Sequence, residues 1–133
     1  MRMTIPISCV VALGLAAPAA AQDARAGAVL YADFCAVCHG RDLRGDGPLA
    51  GALAVRPPDL TTLAGDGEFP VLEVARQIDG RSGILAHGGE MPLFGRYFEG
   101  RGPHVALQGP AGQPVLLSQP VADLIAYLME EQS

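Results

Sequence analysis

The residues with the clearest chemistry are two cysteines and a histidine in the sequence Cys35-Ala36-Val37-Cys38-His39, a C-x-x-C-H motif. This spacing is typical of the attachment of a c-type haem. Each thiol can add to one vinyl group of the porphyrin, and the imidazole that follows then lies over the iron as an axial ligand. We therefore expect one haem c, bound covalently through Cys35 and Cys38, with His39 as a ligand to its iron.

Other chemistries of a C-x-x-C pair fit the sequence less well. A thioredoxin-type redox pair needs a βαβ context, and nothing that resembles a strand precedes Cys35. A structural zinc ion needs four ligands, and the chain has no second pair of cysteines. A disulfide between Cys35 and Cys38 would be strained and would leave His39 without a role. The motif therefore favours haem.

The second axial ligand of the iron must be another soft or imidazole donor, and four residues qualify. Met91 lies in the segment 88–95, which is rich in Gly and Pro and has no helical or strand period, so packing alone gives little reason to bury its side chain. A role as an iron ligand would explain it. His87 is the nearest alternative. Met129 lies in a strongly helical run, where Met usually fills the core, and His104 is expected to be a solvated loop residue.

The N-terminus has the composition of a secretory signal peptide. Arg2 precedes a short apolar run that ends in Ala19-Ala20-Ala21, a typical cleavage site. We expect cleavage after Ala21, which divides the chain into a signal peptide at 1–21 and a mature domain at 22–133, and we expect a periplasmic location. An uncleaved membrane anchor is the less favoured alternative, because the run is short for a bilayer and is broken by prolines.

Composition limits the fold and the partners. The 133 residues allow one domain, and 50% hydrophobic with 17% charged residues excludes general disorder. The chain has 17 Gly and 11 Pro, which predicts a loop-rich fold that needs a cofactor to complete its core. All nine basic residues are Arg and the net charge is −5, which argues against nucleic acid as a partner.

Three helices are predicted to position these residues. The first, over 24–36, delivers the cysteines; the second covers 70–78; and the third, over 118–131, has an apolar stripe and a proline in its first turn. Between the last two helices, 105–107 and 115–117 could pair as a small hairpin, although a bare loop fits the sequence equally well.

In this order, the motifs resemble those of a class I cytochrome c. The resemblance rests on Gly27 and Tyr31 ahead of the C-x-x-C-H motif, on Met91-Pro92, and on the final helical run 123–128. It covers nearly all of residues 22–133. The resemblance implies an all-α fold that is small and loop-rich, with about three to five helices around one covalently bound haem. It also implies that the first and last helices cross at Gly27 and Tyr31.

The resemblance adds residues around the haem. In the family a proline carbonyl accepts a hydrogen bond from the second ring nitrogen of the histidine ligand, which here implies Pro57 or Pro58 beside His39. Residues that could line the haem are Leu60, Leu63, Phe69, Leu72, Ile78, Phe94, Leu124 and Leu128. Side chains that could bind the haem propionates are Arg56, Arg81, Arg96 and Tyr97.

The function expected from this set of residues is electron transfer. The favoured hypothesis is a periplasmic single-haem carrier with His39 and Met91 as ligands, which acts as a monomer and shuttles electrons between periplasmic or membrane redox proteins. Because the chain lacks the lysine ring of mitochondrial relatives, we expect an apolar docking surface. One alternative is a dedicated haem subunit of a dehydrogenase or oxidase complex, docked through residues 97–120. Another is a haem enzyme or gas sensor with an open coordination position.

Overall fold

The computed structural model describes residues 21–80, 91–109 and 112–133. Within these ranges the chain forms five α-helices and one hairpin. The elements are α1 (Ala24–Phe34), α2 (Ala36–His39), α3 (Val71–Asp79), α4 (Gly95–Phe98), β1 (His104–Gln108), β2 (Pro114–Ser118) and α5 (Gln119–Glu130). Two short 3-10 turns, Ala50–Ala52 and Leu60–Thr62, lie between α2 and α3. The fold is small and helical, as the sequence predicts.

The first helix begins and ends at identifiable signals. The Asp23 carboxylate accepts hydrogen bonds from the backbone N–H of Arg25 at 2.9 Å and of Ala26 at 3.3 Å, which makes it the N-cap. The sequence predicts one helix over 24–36, but the structure interrupts it at Cys35, which ends α1 and also precedes the first residue of α2. The attachment motif therefore occupies its own helical turn.

The first and last helices pack directly against each other. Gly27 is buried in this contact, and a Cβ placed there would overlap the backbone carbonyl of Asp123 and lie 2.9 Å from Cβ of Tyr127. One turn further along α1, the ring of Tyr31 lies 5.4 Å from that of Tyr127. The predicted crossing at Gly27 and Tyr31 is confirmed, and glycine is required because the two backbones approach each other closely.

The third helix ends at a glycine and returns the chain towards α4. Gly80 has a left-handed backbone with φ of 79°, and its N–H bonds to the carbonyl of Arg76. The Ile78 carbonyl accepts the N–H of Phe94 at 2.9 Å. A Cβ on Gly95 would overlap the backbone of Asp79. The two ends of the segment between α3 and α4 are therefore joined by backbone contacts.

The stretch before the last helix forms a hairpin and not a bare loop. β1 and β2 pair antiparallel, with Val105 opposite Leu117 and Leu107 opposite Val115. Along β1 the side chains alternate between exposed and buried, so that Val105 and Leu107 face the core. The insertion thus covers part of the core with one face and exposes the other.

The core gathers around α5. Its fully buried side chains include Val121, Leu124 and Ile125, and Phe98 of α4 joins them. The prediction that Met129 fills the core is wrong, because 47% of its surface is exposed near the end of α5. In the ranges that the structure describes, no helix has both the length and the apolar character that a membrane span requires.

Candidate haem site

The two cysteines and the histidine share one compact helical turn. The Cys35 carbonyl accepts the N–H of Cys38 at 3.1 Å and the N–H of His39 at 2.9 Å. Side chains three and four residues apart in such a turn lie on one side of it. Both thiols are half-buried and neither forms a disulfide. The turn therefore presents two thiols and an imidazole to the same region.

Burial keeps the thiol of Cys35 protonated at neutral pH. Burial, assisted by the nearby Cys38, raises the pKa of Cys35 to about 11. The thiol is therefore protonated at neutral pH, whereas redox-active C-x-x-C cysteines have lowered pKa values. This environment agrees with the sequence argument against a thioredoxin-type pair.

The histidine is buried as a neutral ring. His39 is 8% exposed, and burial lowers its pKa while the backbone of Pro58 opposes the shift. Its Nδ1 atom is buried and has no hydrogen-bond partner, so the Pro58 carbonyl lies beside the ring but outside hydrogen-bond geometry. The structure thus places Pro58 next to His39. A neutral imidazole is the form that binds iron.

Backbone hydrogen bonds hold this turn from two sides. The buried Tyr31 hydroxyl donates to the Gly40 carbonyl at 2.7 Å, which connects α1 to the residue after the motif. The His39 carbonyl accepts the N–H of Gly45 at 2.8 Å, and the Cys38 carbonyl accepts from Gly47 at 3.1 Å. The segment that follows the motif therefore folds back along it and fixes its orientation.

The predicted second ligand lies on another segment. Met91 is half-buried and packs against the hydrophobic core. Its sulfur accepts a hydrogen bond from Nε2 of Gln77 at 3.8 Å. Met91 is three residues ahead of Phe94, whose N–H is bound to Ile78 of α3. The position of Met91 is thus defined relative to α3.

Aromatic contacts bring the two segments together. Phe34, directly before Cys35, has its ring centroid 6.0 Å from that of Phe94, which follows Met91. Phe34 also contacts Phe98 at 5.7 Å. The C-x-x-C-H turn and the segment 91–94, called the Met91 segment below, therefore meet through the neighbouring aromatic side chains of Phe34 and Phe94.

The other candidate residues divide into three groups. Of the predicted haem-lining residues, Phe69, Ile78, Leu124 and Leu128 are buried, Leu60, Leu63 and Phe94 are half-buried against the core, and Leu72 is half-buried. His104 is exposed at the start of β1. His87 and Arg81 lie outside the described residues. The half-buried members are those that have apolar surface left for a cofactor.

The candidate propionate ligands make other contacts in the structure. Arg56 Nε donates to the carbonyl of Gly45 at 3.2 Å. Arg96 is exposed. Tyr97 is 47% exposed, and the guanidinium of Arg101 lies 4.3 Å above its ring. Two of the described candidates thus lie close to the attachment turn: Arg56 through Gly45, and Tyr97 through its ring contact with Phe34 at 5.1 Å.

Sequence reasoning did not predict the roles of three residues in the site and the core. Gln77 carries no motif, and only the fold brings it to the Met91 sulfur. Asp123 is a buried carboxylate that accepts from the N–H of Asp23 and from Gln119, both at 2.7 Å. The sequence did contain a signal for Asp123, because a charged residue inside an apolar helical run indicates a buried group with hydrogen-bond partners. Leu43 is buried with a positive φ of 63°, which no sequence pattern indicates.

The residues present fit haem c. Two unpaired thiols lie one turn apart, and a buried neutral imidazole has a free Nδ1 atom beside a carbonyl. A thioether lies on a segment that is joined to the same turn by aromatic contacts. This donor set combines the two attachment thiols with an imidazole and a thioether, the ligand pair of many c-type haems.

Comparison with known proteins supports the same interpretation. The family model described as cytochrome c matches residues 24–131 of the chain. Comparisons with curated proteins and with solved structures gave no match. The matched range begins with α1 and ends just after α5, so it includes the attachment turn, the Met91 segment and the helix crossing.

Proposed function

The chain belongs to the cytochrome c family of haem-based electron-transfer proteins, and we propose that it is an exported carrier of single electrons. In this proposal one haem c is attached through Cys35 and Cys38, and its iron is bound by His39 and Met91. The carrier shuttles electrons between periplasmic or membrane redox proteins and is not itself an enzyme.

The observation that carries the proposal is the contact between the rings of Phe34 and Phe94, 6.0 Å apart. One ring adjoins the attachment turn and the other adjoins the Met91 segment. The contact joins the two segments that carry the predicted ligands, although 51 residues of sequence lie between His39 and Met91. The buried, neutral state of His39 supports the same assignment.

When bound, the haem supplies a one-electron couple at its iron. The residues that bind the iron determine the reduction potential of this couple. A thioether opposite an imidazole raises the reduction potential relative to two imidazoles. If His39 and Met91 both bind the iron, no position is left there for a substrate. The backbone hydrogen bonds around the turn hold His39 in place, and a rigid ligand favours fast electron transfer.

The ligand assignment is tested by the visible spectrum of the oxidised holoprotein. We expect a weak far-red band, typical of sulfur bound to ferric haem, that is lost in Met91→Ala. Met129→Ala is the matched control, because Met129 is exposed on α5. Absence of the band in the wild type, or its survival in Met91→Ala, would move the assignment to His87. Ready binding of carbon monoxide to the reduced protein would favour the alternative with an open coordination position.

Docking of the redox partner is proposed to use an apolar patch formed by Val37, Pro48 and Leu49. Val37 is 42% and Leu49 is 47% exposed, and the two are joined by a backbone hydrogen bond of 2.9 Å. Val37 lies between the two attachment cysteines, and residues 47–55 contain no charged side chain. An uncharged partner surface suits this patch, and the rate of electron transfer should depend weakly on salt.

The patch is tested by electron self-exchange between oxidised and reduced copies of the holoprotein, measured by NMR line broadening. Leu49→Asp should slow exchange by about tenfold or more, because it places like charges opposite each other in the encounter. Leu116→Asp is the control, since it adds the same charge at a side chain that is 60% exposed on β2. Equal effects of the two substitutions, or a steep salt dependence of the wild-type rate, would contradict docking through the patch.

Export is proposed to remove residues 1–21 and leave the domain 22–133. The proposal rests on the signal-like composition of the N-terminus. Mass spectrometry of the protein from a periplasmic fraction should give a chain that begins at Gln22. Recovery of the uncleaved chain from membranes would instead support the alternative, in which residues 1–21 remain as a membrane anchor.

A second candidate function is a dedicated haem subunit of a larger oxidoreductase. The hairpin favours it, because its outer face exposes Ala106 and Leu116, the latter to 60%. A subunit should purify with a large partner from its native source and lose that partner in Leu116→Asp. A carrier should purify alone.

A further inference from the structure

We propose that Gln77 positions the sulfur of Met91 and raises the reduction potential of the haem by donating an amide hydrogen bond to that sulfur. The inference rests on the proposed function, because it concerns Met91 as an iron ligand. Nothing in the sequence marks Gln77, and its role follows from one contact in the fold.

The contact joins two side chains from different segments. Nε2 of Gln77 lies 3.8 Å from Sδ of Met91, within the range of a hydrogen bond to sulfur. Gln77 lies in the last turn of α3 and is exposed, whereas Met91 is half-buried against the core. A thioether sulfur is a weak acceptor, and an amide supplies two donors.

The backbone around the contact holds donor and acceptor at this separation. Ile78, the neighbour of Gln77, accepts the N–H of Phe94, which is three residues from Met91. Gly95 lies so close to Asp79 that a Cβ would overlap its backbone. The two segments are thus joined within a few residues of both side chains. The backbone, and not only the rotamers of the two side chains, therefore keeps Gln77 close to Met91.

The chemical effect follows from the lone pairs of the sulfur. A thioether sulfur has two lone pairs, so one can bind iron while the other accepts a hydrogen bond. An N–H donor draws electron density from the sulfur and weakens its donation to iron. Because the ferric state depends more on that donation than the ferrous state does, the hydrogen bond favours the reduced form and raises the potential. The same bond also restrains the sulfur against displacement.

A purely structural role for Gln77 predicts something different. Its side chain is exposed, so its removal exposes little apolar surface and should leave the free energy of unfolding close to that of the wild type. A positioning role predicts changes in the potential and in ligand exchange with no comparable change in stability.

The experiment compares the holoprotein with Gln77→Leu and Gln77→Glu. The leucine removes the donor without adding charge, and the glutamate keeps the size but carries an acceptor at neutral pH. Gln113→Leu is the matched control, because Gln113 is an exposed residue next to β2. The readouts are the potential from redox titration, the far-red band of the oxidised form, and the affinity of the oxidised form for added imidazole.

We expect a lower potential in Gln77→Leu and a still lower one in Gln77→Glu. Loss of a hydrogen bond of ordinary strength should raise the affinity for imidazole by about threefold to tenfold, because Met91 is then displaced more easily. The control should match the wild type. A far-red band in the wild type, with potential and imidazole affinity equal in Gln77→Leu and the control, would overturn the role of Gln77 alone. Absence of that band in the wild type would instead refute Met91 as a ligand.

Discussion

The packing of α1 on α5 makes a sharp prediction for Gly27→Ala. Gly27 is buried at the crossing, and an added methyl group would lie 2.6 Å from the carbonyl carbon of Asp123 and 2.9 Å from Cβ of Tyr127. Real Cβ contacts are essentially never this short. The atoms that the methyl group meets are backbone or directly attached to it, so no side-chain rotation relieves the overlap. One helix must move away from the other.

The cost of that movement can be worked out. Separation by roughly 1 Å forfeits up to half of the dispersion energy of the contacts along the crossing. We therefore place the penalty near the upper end of overpacking costs, about 3 kcal/mol. Alanine regains about 1 kcal/mol through its better helix propensity. The net loss of about 2 kcal/mol should lower the melting temperature by roughly 10 °C for a domain of this size.

The assay is thermal and denaturant unfolding of the holoprotein, followed by far-UV circular dichroism. Gly51→Ala is the matched control, because a Cβ at Gly51 would meet nothing within 4 Å. We expect that control to stay within about 0.5 kcal/mol of the wild type. If Gly27→Ala unfolds at the same temperature as Gly51→Ala, the helices do not cross through Gly27 as described.

Three further predictions concern the attachment turn and its surroundings. Tyr31→Phe removes a buried hydroxyl donor from a backbone carbonyl, and denaturant unfolding should show a loss of about 1–2 kcal/mol. Replacement of Cys35 and Cys38 by Ala should give a chain without haem that is unfolded by circular dichroism and rapidly cut by protease; a compact helical product would contradict this. Hydrogen bonds from the side chain and backbone of Thr61 lower the pKa of Asp59. Its stabilising contribution is therefore present at neutral pH and is lost as the pH falls through the lowered pKa, so the stability gap to Asp59→Ala should narrow below about pH 4.

The helices and their crossing could be predicted from local sequence. The apolar stripe of α5 and the spacing of Gly27, Tyr31 and Cys35 along α1 are properties of nearby residues, and the structure shows both helices close to their predicted ranges. The hairpin and a bare loop fitted the sequence equally well, because the two strands are short. Which side of Val105 is buried depends on packing against the core, and that packing cannot be predicted from local sequence.

The features that could not be predicted from the sequence depend on contacts between residues that are distant in the chain. Met129 follows the helical pattern of the core, but its side chain lies near the end of α5 and is exposed. The position of Pro58 beside His39 is set by the path of the loop, which no local pattern fixes. Gln77 meets Met91 only because Ile78 binds Phe94.

The pairing of α1 with α5 has a consequence for the order of folding. The N–H of Asp23 binds the carboxylate of Asp123, 100 residues later. Bringing these two residues together closes a loop of about 100 residues, which has a cost in conformational entropy. The part of α1 around Gly27 and Tyr31 therefore meets its partner on α5 only after the C-terminal residues have been synthesised. We expect the attachment of haem to Cys35 and Cys38 to be easiest before α5 docks, because both thiols are half-buried in the folded chain.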